Sequence, residues 1–138
     1  MSSIQVDAIT FSDAATADLS GNEESDVIKG TGWDELHFQI EQPNTGTPAG
    51  AWYLLERVPG CTNFTAVPID KVQTPRGAAA GVTHTSGNTN IACSGNSGNG
   101  TAVIKFAIVG GAGEYKLEWV RSGGTGSATA RVTKKAYA

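Results

Sequence analysis

The chain is poor in the residues that most catalytic and metal sites require. Its 138 residues include two histidines, two cysteines and one methionine. Cys61 and Cys93 lie far apart and neither belongs to a CxxC pair, which argues against a zinc ribbon or finger. They could pair, and a bridge closing so long a loop contributes about 3 kcal/mol or more; the alternative is two free thiols in a reducing compartment. Cys61, after Pro59-Gly60, is either a reactive thiol or, as we read it, a structural turn cysteine. His37 alternates outward in a strand pattern and His84 lies in a Thr/Ser-rich run. Neither adjoins a GxSxG nucleophile elbow.

Other scarcities narrow the class further. No apolar run approaches the ~20 residues needed to cross a bilayer. The opening MSSIQVDAITFSD lacks a basic start and a continuous apolar stretch, so we expect no signal peptide and synthesis in a cytoplasm. The net charge is -3, which argues against sequence-independent nucleic-acid binding and against docking on an anionic membrane. Glycine-rich pieces such as GVTHTSGNTN lack the lysine and following helix of a phosphate loop, so no cofactor is expected. Carboxylates that could pair for glycoside hydrolysis are Asp34/Glu35, Glu23/Glu24/Asp26, Glu41 and Glu56. Glu23, Glu24 and Asp26 fall in a polar stretch without calcium-loop spacing, so a solvated turn is expected and no metal. Nothing in the pattern brings an acid and a base to one cleft, and the chain is not expected to be an enzyme.

What is abundant is glycine, at 18 residues, spaced between short alternating runs. Thr101 to Val132 reads as TAVIKFAIV, EYKLEWVRS and SATARV, separated by GGAG and GGTG. Such spacing predicts an antiparallel meander. WDELHFQIEQ alternates Leu36, Phe38 and Ile40 against Glu35, His37, Gln39 and Glu41, the pattern of a sheet with one wet face. Ile4, Val6 and Ala8 alternate on one parity and Ile9 and Phe11 on the other, so residues 3–12 read as a strand whose facing switches at a bulge. Shorter strands are expected at 17–19, 27–28, 51–58 and 64–69, with two more, 81–85 and 90–93, inside the weakly patterned 73–100 stretch. The sum is one all-β domain over 1–138: a single antiparallel sandwich of jelly-roll or Greek-key type with about eight strands and no significant helix. An extended N-terminal arm and a short exposed tail carrying Lys134, Lys135 and Tyr137 complete it.

Aromatics are the remaining handle on function. Trp119 shares parity with Tyr115 and Leu117 and is assigned to the core. Trp52 and Tyr53 point to opposite faces of a strand that is apolar on both. One of them must lie outside the main core, covered by a loop or a neighbouring subunit, and makes an interface anchor. Trp33 is a third interface candidate.

GAWYLLERVPGCTNFTAVPI and EYKLEWVRSGGTGSATARV resemble strand-turn-strand patterns of short β-sandwich bacteriophage virion proteins, the components of capsid decoration, fibres and spikes. The likeness covers Gly50–Ile69 and Glu114–Val132; it departs at Arg57-Val58-Pro59, where a Ser-x-Asp turn would stand. It implies a structural role on the virion, self-association, often as a trimer, and contacts to other capsid or tail proteins. It carries over no catalytic residue. Trp52 or Tyr53 and the loops 43–50 and 73–100 are then the expected contact surfaces. The alternative is a carbohydrate-binding module for receptor recognition, which requires adjacent exposed indole or phenol rings beside Asn, Gln or Asp, with the 86–101 loop supplying hydrogen bonds to a surface glycan.

Overall fold

A computed structural model describes residues 2–73, 81–95, 100–110 and 113–137. Parts of the 73–100 stretch and of the GGAG turn therefore lie outside the described residues. Twelve strands form: β1 (Ser3–Ile9), β2 (Ala17–Asp18), β3 (Glu23–Glu24), β4 (Ile28–Lys29), β5 (Glu35–Pro43), β6 (Ala49–Arg57), β7 (Thr65–Ala66), β8 (Val82–Thr83), β9 (Asn90–Ser94), β10 (Thr101–Val109), β11 (Glu114–Gly123) and β12 (Ser127–Ala136). There is no helix among the described residues. The count exceeds eight because five are two-residue pieces that the period-2 test does not resolve.

The strands make two antiparallel sheets packed face to face. The first runs β1-β12-β5-β10, with β2 also on β12; the second runs β3-β11-β6-β9-β8, with β4 on β11 and β7 on β6. The expected C-terminal meander does not form. β10 pairs with β5, β11 with β6, and β12 with β5 and β1. The three strands are real, but successive ones belong to opposite sheets, so their glycine turns connect sheets rather than hairpin partners. Alternation reports which face of a strand is buried; it does not report which strand lies beside it.

Ser3–Ile9 is paired with β12 along its whole length, so it is an edge strand and not an arm. Its facing does not switch: Ile9 and Phe11 are buried, while Ile4 and Val6 stay exposed. The chain turns just after it, where Ser12 and Asp13 adopt positive φ. Thr10 donates to the Asp26 carboxylate at 2.6 Å and the Asp13 amide donates to it at 3.0 Å. The expected tail is also incorporated. Lys134 and Lys135 lie in β12, and Lys134, 8% exposed, reaches Asp7 at 3.3 Å. The Tyr137 amide donates to Asp34 and its hydroxyl to Glu35, both at 2.6 Å.

Each sheet is centred on a directly opposed aromatic pair. Phe38 faces Phe106 in the first, stacked at 5.0 Å. Trp52 faces Trp119 in the second, tilted at 5.2 Å. Phe11 packs on Trp52 at 6.3 Å, and Leu36, Ile40, Leu54, Ile91, Ile104, Tyr115 and Leu117 fill the space around them. The Trp52 indole N–H donates to Gln42 Oε1 at 2.9 Å, so β6 is bonded to β5 across the sandwich. A buried indole donor requires such a partner.

Gly50 admits this packing. A Cβ there would overlap the carbonyl of Val120 and lie 2.8 Å from Trp119 Cζ2. Because one of those neighbours is backbone, it cannot swing away. Gly50→Ala is expected to lower stability by about 1–3 kcal/mol, the usual cost of overpacking. Urea unfolding followed by tryptophan fluorescence measures it, and an unchanged midpoint would contradict the packing described.

Candidate functional site

The structure divides the interface candidates. Trp52 has no accessible surface; it is a core residue, and the expectation that it could anchor a partner is corrected. Its burial follows from the parity it shares with Leu54, also inward on β6. Tyr53 is the outward member of the pair, half-buried and aligned between Glu118 and Asn90. Trp33 is half-buried against the core edge and its amide donates to Gly30 O at 3.1 Å. The three are thus separated: one inside, one on the outer face of the second sheet, one at a strand entry.

The second face of β6 is covered by the chain itself. Arg57 lies over the Phe64 ring at 4.5 Å and Lys116 over the same ring at 4.9 Å. Arg57 also pairs with Glu114 at 2.9 Å. Lys116 stands opposite Leu55, which is 9% exposed. The ring held between two cations closes this corner, each contact contributing roughly 0.5–1 kcal/mol.

The cysteines are free thiols, Cys61 exposed and Cys93 buried. Cys93 faces Gly50 near the start of β6, whereas Cys61 follows the turn beyond Arg57 at its end. That length of strand is on the order of 20 Å at roughly 3.3 Å per residue, while a disulfide needs Cα atoms within about 7 Å. Burial pushes the Cys93 thiol up to about 11, with a contact to Gln42 opposing.

Several of the polar candidates are bonded within the scaffold. His84 Nδ1 lies 2.9 Å from Asn90 O and Nε2 lies 2.6 Å from Ile69 O, which ties the segment around Ile69 to β9. His37 meets Glu35 at 3.2 Å. Hydrogen bonds from Tyr137 and then His37 hold the Glu35 carboxyl below its ordinary range. Glu23 accepts from the Asp18 amide, Glu24 meets Lys116, and Thr10 holds Asp26 low. Ser25, between β3 and β4, donates its amide to Leu117 O at 2.8 Å and accepts the Leu117 amide at Oγ at 2.9 Å. The Glu23–Asp26 stretch is thus strand edge rather than free loop. No group of metal-ligating side chains occurs among the described residues.

Two surface features remain. One is a groove of about 650 Å³ over the outer face of the first sheet. Its floor carries Gln39 between Arg131 and Lys105 on adjacent strands, and its wall carries Asp70 and Gln73. Gln73 is held there by two backbone bonds to Lys105, at 2.8 and 3.0 Å. The other is the adjoining outer face of β1, where Ile4 is 67% exposed and Val6, which also lines the groove, 58%. The opposite parities of Ile4/Val6/Ala8 and Ile9/Phe11 were its signal in the sequence; only packing decides which set is inside. No protein-family model matches the chain, and no curated protein matches it.

The thiols give a direct test of this arrangement. At neutral pH a disulfide reagent such as dithionitrobenzoate should titrate Cys61 rapidly in the folded protein and Cys93 only after denaturation. Equal fast labelling of both would contradict the burial of β9.

Proposed function

We propose that this chain is a non-enzymatic structural protein of a bacteriophage virion surface, of the decoration, fibre or spike type, acting by binding its own copies and other capsid or tail proteins. The supporting observation is a pair of exposed apolar side chains side by side on one edge strand. Ile4 and Val6 lie on the outer face of a long edge strand, where a lone sandwich gains nothing by showing them and an assembled one covers them. Repetition over a particle makes small interfaces sufficient through avidity. Light scattering behind size-exclusion chromatography should give a mass that rises with concentration above the 14.2 kDa of one chain. Mass spectrometry of purified particles from the encoding system should find the chain in many copies. A strict monomer at high concentration, together with absence from particles, would overturn this reading.

A second reading is a glycan-binding receptor-recognition module. The groove favours it, since Gln39, Gln73, Thr129, Thr133, Lys105 and Arg131 offer hydrogen bonds to hydroxyls and acidic groups. Of the aromatics it called for, Trp52 and Trp119 are fully buried, and Tyr53 and Trp33 are half-buried on separate parts of the fold. A glycan array should then show a response lost in Arg131→Ala; silence across the array would end this alternative.

A further inference from the structure

We propose that β1 is the assembly edge and that its occupant is β1 of a second copy, added antiparallel about a two-fold axis so that two first sheets become one. The inference rests on the self-association proposed above and names the strand, partner and register.

Among the described residues the other sheet edges are blunted. β8 has two residues, and β3 and β4 have two each. The β10 edge is occupied at mid-length by the Gln73–Lys105 bridge. β1 alone offers seven consecutive residues, and it pairs on one side only. Edge strands are normally guarded by proline, lysine or a bulge. SIQVDAI has none of these, and its single charge, Asp7, is tied to Lys134 at 3.3 Å within the same sheet.

A second copy fits because the strand is complementary to itself. Opposed residues in an antiparallel pair share a face, so a slip of one residue would set apolar against polar side chains. Centring the two-fold on Val6 places Val6 opposite the partner's Val6 and Ile4 opposite the partner's Ala8. Gln5 then faces the partner's Asp7, and Gln5 Nε2 already donates to its own Asp7 at 2.9 Å. Centring on Asp7 would instead oppose two carboxylates, which is unfavourable. The chosen register joins Ile4, Val6 and Ala8 of both copies into one apolar strip. It gives a two-fold pair, in contrast to the trimer that the virion-protein resemblance implies. The contact is small beside the roughly 1,200–2,000 Å² of stable complexes, so the pair forms with rising concentration.

Light scattering is run on the whole chain, on Val6→Lys, and on Cys61→Ser carrying either Val6→Cys or, as a control of greater exposure on the far edge, Val109→Cys. The wild type should approach twice the mass of one chain. Val6→Lys should stay at one chain with an unchanged circular dichroism spectrum. Oxidised glutathione should link Val6→Cys into a covalent dimer several-fold faster than Val109→Cys. Should Val6→Lys fail to fold, the linking rates decide alone. A wild type that is monomeric throughout would remove the self-association reading itself. A wild type that associates while Val6→Lys associates equally, or links no faster at position 6 than at 109, would overturn the β1 edge alone, as would a mass of three chains.

Discussion

The sandwich depends on one buried contact, the Trp52–Trp119 pair with Gln42 above it. The two indoles face each other across β6 and β11, and the Trp52 N–H reaches an amide on the opposite sheet. Apolar burial alone is non-directional and lets two sheets slide. A buried donor with one acceptor does not, because leaving it unpaired costs about 1–3 kcal/mol. Gln42 therefore sets how β5 lies over β6, and Gly50 leaves the space in which Trp119 can sit.

The edges follow from that centre. With β5, β6 and β11 fixed, the short pieces β2, β3, β4, β7 and β8 fill the borders of the two sheets. Ser25 repairs the ladder between β3 and β4 with its hydroxyl. His84 and Gln73 fasten the segment that crosses from one sheet edge toward the other. His84, Ser25, Glu23 and Asp26 each hold a backbone group. The surface adds a groove over the first sheet and an apolar edge at β1.

Much of this was legible in the chain. Leu36, Phe38 and Ile40 alternate, and they are buried; Tyr115, Leu117 and Trp119 alternate, and they are buried as well. The position of Cys61 in a turn also followed from pattern, as did the division of Trp52 and Tyr53 between opposite faces, but not which of the two lies inside. The meander did not, since a glycine turn of a few residues serves a hairpin and a crossing between sheets equally well. Gln42 was illegible for a different reason. It is a polar residue at an inward parity next to a proline, and only the arrival of an indole from another strand makes burial favourable.

The sequence by itself determined an all-β chain and the buried faces of β5 and β11, because side-chain direction alternates with a period that local residues express. Tertiary structure alone decided which strands are neighbours, that Trp52 is core rather than contact, that Cys61 and Cys93 stand apart, and that Ile4 and Val6 face outward. Those are relations between residues distant in the chain. They are settled by competition for one interior, in which Ile9 and Phe11 took the inside and left the other parity of the same segment at the surface.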